Sequence, residues 1–143
     1  MNTWTGQRGV VMLPDGRQVR GTGVRQSRGS LPDPDFAVYL LGRDPGARPW
    51  DSQWVKWRDF SIPASTPAAL DALQEAFARS LEERVEIACG SGVGRTGTAL
   101  ALMAVMAGLP ASDAAAWVRR SYHRRAIETR GQRRWVLDAA RML

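Results

Sequence analysis

The chain has 143 residues, 44% of them hydrophobic, which suits one domain over 1–143 with a core of its own. A single cysteine, Cys89, excludes an internal disulfide, and a single histidine, His123, excludes a multi-histidine zinc site. The net charge of +6 comes from 19 arginines and one lysine, Lys56, and favours anionic partners.

Residues 10–13 and 17–19 flank Pro14-Asp15-Gly16, the signal of a β-hairpin. Residues 27–35, with two prolines and a glycine, predict a loop. Residues 36–41 are a short apolar run suited to a buried strand, closed by Gly42. Residues 44–50 hold two more prolines and predict a second loop, followed by a weaker strand over 53–57. The second half turns helical. Thr66 is placed to cap a helix with Pro67 at its first position, and Leu70, Leu73, Phe77 and Leu81 share one face. Residues 84–89 predict a short strand that runs straight into a glycine-rich loop. The helix predicted over 95–107 is apolar nearly all round, hence buried, and Gly108 and Pro110 end it. Ser112 is placed to cap a third helix reaching about 123, and a last helix covers 132–142.

Three phosphate-binding patterns compete for residues 89–97. Gly92-Val-Gly94-Arg-Thr-Gly97 fits the dinucleotide fingerprint, but that fold needs a second strand ending in an acid about 20 residues on, and none follows. The nucleotide P-loop needs glycine at 89 and lysine at 95, where Cys89 and Arg95 stand. The third pattern is Cys-x5-Arg-[Ser/Thr]. Here Gly90, Ser91, Gly92, Val93 and Gly94 can curl so that their N–H groups form a nest for a dianion. The helix that follows turns its positive end toward the same anion. That field also stabilises a thiolate, which makes Cys89 a nucleophile rather than a buried structural cysteine. Arg95 can hold two phosphate oxygens as a fork, and Thr96 can donate its hydroxyl to the sulfur.

At this point the sequence resembles the cysteine-dependent protein tyrosine phosphatase superfamily, and its short length resembles the compact dual-specificity members. The run Cys89-Gly-Ser-Gly-Val-Gly-Arg-Thr-Gly-Thr98 is similar to the family signature His-Cys-Ser-Ala-Gly-Val-Gly-Arg-Thr-Gly-Thr. Trp57-Arg-Asp59-Phe-Ser-Ile-Pro63 is similar to the Trp-Pro-Asp-Phe-Gly-Val-Pro loop, which implies that Asp59 is the general acid. It stands 30 residues before the cysteine. Residues 126–136 are similar to the downstream segment whose glutamine positions the hydrolytic water, which implies that role for Gln132. Two positions depart from the pattern. Ala88 replaces the histidine before the cysteine, and Arg58 replaces the proline of the acid loop. The resemblance implies an α/β fold in which helices flank a mixed central β-sheet.

The implied reaction is hydrolysis of phosphotyrosine, with phosphoserine and phosphothreonine as further substrates, through a phosphocysteine intermediate and with no cofactor and no metal. The expected partners are a phosphorylated protein or a small phosphomonoester, with a phosphate or sulfate ion suited to the loop. Asp51 is the rival acid. Two other classes compete: a domain that binds phosphorylated ligands with little turnover, and a nucleic-acid binder using Arg119, Arg120, Arg124, Arg125, Arg130, Arg133 and Arg134. A solvated helix face accounts for that arginine run more simply. No apolar run reaches the ~20 residues that span a bilayer, and the first residues lack a signal-type apolar stretch. A soluble cytoplasmic protein without membrane contact is expected.

Overall fold

The computed structural model describes residues 4, 8–29 and 31–143. In chain order its elements are β1 (Val10–Met12), β2 (Gln18–Gly23), β3 (Phe36–Leu41), β4 (Asp51–Lys56), α1 (Thr66–Arg79), β5 (Val85–Cys89), α2 (Gly94–Met106), a 3-10 turn (Ala111–Asp113), α3 (Ala114–Ser121) and α4 (Arg130–Ala140). The strands form one sheet in the order β1-β2-β5-β3-β4. The β1/β2 pair is antiparallel and the other three pairs are parallel, so the sheet is mixed, as expected.

Period-two alternation sends β3 and β5 to two faces. Phe36, Val38, Leu40, Val85, Ile87 and Cys89 join the large core with all four helices. Ala37, Tyr39 and Ala88 form a small cluster on the other face, with Leu41 and Trp50 against it. Every residue of β5 is buried, as fits a central strand with parallel neighbours on both sides. Helix α2 lies at the centre of the helical layer and packs on α1, α3, α4 and β5.

Several boundaries differ from expectation. β2 continues to Gly23 because it pairs with β5 in the register Gly23↔Cys89; its own residues Gly21, Thr22 and Gly23 signal no strand. Ser65, not Thr66, caps α1, accepting from the Ala68 N–H at 3.2 Å. Thr66 instead accepts from the Trp135 indole at 3.0 Å. α1 ends at Arg79, so Leu81 leaves the apolar face and is 55% exposed. Ser112 makes no capping bond and lies in the 3-10 turn before α3. α4 starts earlier, with Thr129 accepting from the Gln132 N–H.

One charged pair lies inside the fold. Arg20 of β2 and Glu86 of β5 are opposite each other in register, fully buried, and joined by two hydrogen bonds. Arg28 adds a third contact to Glu86 at 3.4 Å, and the Trp4 ring lies 4.1 Å from the Arg20 guanidinium. Among the described residues, no helix is long and apolar enough to cross a membrane.

Candidate active site

The strand β5 ends on Cys89 and the chain turns at once into α2, so thiol and helix N-terminus share one loop. Cys89 is buried, and its Sγ accepts from the Gly92 N–H at 3.2 Å. Gly92 has φ +79 and lies against the backbone of Thr22 and Gly23, where any Cβ would collide. Val93, the N-cap of α2, has no side chain that caps, so the first-turn N–H groups of the helix are left for the loop's interior. The Tyr122 hydroxyl donates to the Gly92 carbonyl and braces the loop from the α3 side. Burial, with the charges of Cys89 and Glu86 beside it, pushes the Tyr122 phenol up, so it stays a donor. This brace acts in the fold where Ala88, facing the small cluster behind the sheet, offers none.

Arg95 is in the first turn of α2 and 4% exposed. One guanidinium nitrogen donates to the Trp57 carbonyl at 2.9 Å, and the other is 3.7 Å from an Asp59 carboxylate oxygen. Among the described residues its buried Nε has no hydrogen-bond partner, and neither has the buried hydroxyl of Thr96 next to it. Both belong to the first turn of α2, next to the loop, and a buried donor without a partner calls for an explanation.

The acid segment after β4 is held from several sides. Trp57 is fully buried, packs against Trp135 in a tilted pair at 5.2 Å and 60°, and donates its indole N–H to the Ser61 carbonyl. Asp59 is 40% exposed on its side chain, and its carboxylate accepts from the Phe60 N–H. Phe60 has φ +60, an uncommon conformation for a bulky residue and one seen at constrained sites. Asp51 stands at the opposite end of β4 and is paired with Arg79 at 2.7 Å, away from this segment. Gln132 is fully buried. Its carbonyl accepts from the Glu128 N–H at 2.8 Å, and its amide donates to the Ser61 carbonyl at 3.1 Å. The glutamine is therefore a strut between the acid segment and the start of α4.

That strut leads to a residue missing from the sequence reading. The Glu128 carboxylate lies against Gly94, where a Cβ would come within 1.8 Å of it. Partial burial and the neighbouring Asp59 charge hold the Glu128 carboxyl above the usual range, against the opposing pull of Arg95. Its position is fixed by Ile127, a β-branched residue at φ +64. Arg119 clamps that turn, donating to the carbonyls of Ala126 and Ile127 at 2.9 and 2.8 Å. Arg119, Arg120, Arg124, Arg125, Arg130, Arg133 and Arg134 are all exposed, and Arg119 differs in binding these two carbonyls of its own chain. No spacing rule pointed to Glu128; the only signal was an acid inside the segment quoted for Gln132.

Comparison with known proteins bears on the family and the fold. A family profile described as protein-tyrosine phosphatase matches residues 36–139. The fold is similar to that of Tk-PTP in its active form, at 23% identity and TM-score 0.74, covering 93% of this chain and 97% of that one. A glycine-to-alanine mutant form of Tk-PTP matches at 26% identity and TM-score 0.72, covering 92% and 95%. Kinase-associated phosphatase, with its catalytic-site cysteine substituted by serine, matches at 9% identity and TM-score 0.69, covering 97% and 98%. No curated protein matches the sequence closely. With the profile spanning most of its length, this chain belongs to the protein-tyrosine phosphatase family.

Proposed function

We propose that residues 1–143 act as one metal-independent phosphatase domain that hydrolyses phosphotyrosine, and phosphoserine or phosphothreonine as well, through a phosphocysteine. The observation that carries this reading is the buried Arg95 between Cys89's loop and Asp59, with Nε and the Thr96 hydroxyl unpartnered beside it. In the first step the Cys89 thiolate attacks phosphorus, the bond to the leaving oxygen breaks, and Asp59 protonates that oxygen. Arg95 and the N–H groups of Gly90, Ser91, Gly92, Val93 and Gly94 hold the three other oxygens. In the second step water attacks phosphorus, Asp59 takes its proton, and the sulfur departs as thiolate with the Thr96 hydroxyl to receive it. Gln132 serves as a positioning residue that keeps Asp59's segment against α4, and Glu128 adds a second carboxylate on the same side.

The decisive experiment is hydrolysis of an aryl phosphate with EDTA present. Wild type should turn over, Cys89→Ser should not, and Asp59→Asn should fall by about 10²–10⁴ for a poor leaving group. Hydrolysis that survives Cys89→Ser sinks the mechanism. Phosphopeptide binding without any turnover in wild type would make the domain a phospho-ligand binder instead.

A further inference from the structure

We propose that Arg25 reads a second anionic group of the substrate, a carboxylate or a phosphate carried on the residue beside the phosphotyrosine. The proposal rests on the phosphatase reading above and narrows its substrate class.

Beyond its last paired residue, β2 continues as a rail along the phosphate loop. The Val24 N–H donates to the Cys89 carbonyl at 2.8 Å and the Arg25 N–H to the Gly90 carbonyl at 3.1 Å. Gly23 is in backbone contact with Ser91, where a Cβ would come within 2.5 Å. The position of Arg25 is therefore set by the loop itself. Its side chain crosses over Gly90. A Cβ built there would be 3.0 Å from the Arg25 guanidinium carbon and 3.1 Å from an Arg95 nitrogen. The family signature has serine at this place, and the glycine here leaves that room to the arginine.

Two guanidinium groups thus lie no more than about 6 Å apart, close enough to repel unless an anion lies between or beside them. Their surroundings differ. Arg95 is at the floor with Asp59 at 3.7 Å, whereas Arg25 is exposed at the rim. Arg20 and Arg28, on the same stretch of chain, each have both a carboxylate and an aromatic ring. Arg25 has neither among the described residues. The scissile phosphoryl group is answered by Arg95 and the loop N–H groups. That leaves Arg25 to face what the substrate carries next to it, and its planar fork suits a carboxylate or phosphate.

Three phosphotyrosine peptides that differ only in the neighbouring residue, Gln, Glu or phosphoserine, test this. The readout is the ratio of kcat/KM values, which a general loss of activity does not move. Wild type should prefer Glu or phosphoserine over Gln by about tenfold, the scale of one charge-assisted hydrogen bond. Arg25→Ala should bring the ratio to about one, and Arg25→Lys should keep part of it. A preference for phosphoserine alone identifies the second group as phosphate; an equal preference for Glu identifies the shared anion chemistry. Anisotropy titration of the same peptides on Cys89→Ser gives the ratio without turnover, so a failed phosphatase reading remains distinguishable from a failed role for Arg25. No preference in wild type, or a ratio unchanged in Arg25→Ala, overturns the proposal.

Discussion

Partial burial, and after it the Asp59 carboxylate nearby, make Glu128 ionise less readily than a free carboxyl group. Folding raises its proton affinity, so its ionisation weighs against the folded state. The penalty is absent at acid pH, where the group is protonated folded or unfolded, and is complete once pH passes above its raised pKa. Glu128→Gln removes it. Melting curves should show the variant equal to wild type well below the carboxylate range and more stable at neutral pH; a variant less stable at neutral pH contradicts this. Cys89 and Arg95 were legible in the sequence because five intervening residues suffice to define the loop. Glu128 was not, because its place depends on the φ of Ile127 and on two bonds from Arg119 to the carbonyls of Ala126 and Ile127.

At the scale of elements, α1 shows how one hydrogen bond moves a boundary. Ser65 and Thr66 are both good caps, and Pro67 suits either frame. The choice is made elsewhere, since the Thr66 hydroxyl is taken by Trp135 across 69 residues of chain. Ser65→Ala should lower stability by about 1 kcal/mol, and Ser65→Asp should restore it in urea unfolding. Equal stability of Ser65→Ala and wild type would remove Ser65 from the cap. β2 gives the same lesson for strands. Its last residues read as nothing from propensity, and only the parallel ladder to β5 extends them to Gly23 beside the loop. The helix α2 was easier to read, because a continuous apolar run ended by Gly108 and Pro110 is local information.

For the whole molecule, the order of strands depends on contacts that no local pattern encodes. β5 inserts between β2 and β3, and the Arg20–Glu86 pair then faces inward across that junction. Leaving one buried charge without its partner costs about 3–5 kcal/mol, so Glu86→Ala should be severely destabilised. Replacing both residues with apolar side chains should cost much less, since no charge is then stranded. Denaturant titration of the single and double variants separates the two, and additive losses would contradict the pairing. The mixed sheet was anticipated from the family resemblance; the buried pair at the junction was not, because arginine and glutamate are ordinarily surface residues.

Gln132 has a consequence for how fast the site can work. Its amide links the Ser61 carbonyl to the turn that carries Glu128, while Arg95 holds the Trp57 carbonyl and Trp135 covers the Trp57 ring. The acid-bearing segment is therefore latched to the scaffold rather than hung as a lid. A rate limited by loop opening would slow in step with solvent viscosity. If the proposed reaction holds, kcat on an activated aryl phosphate should stay constant as sucrose is added, and Gln132→Ala should make it viscosity-dependent.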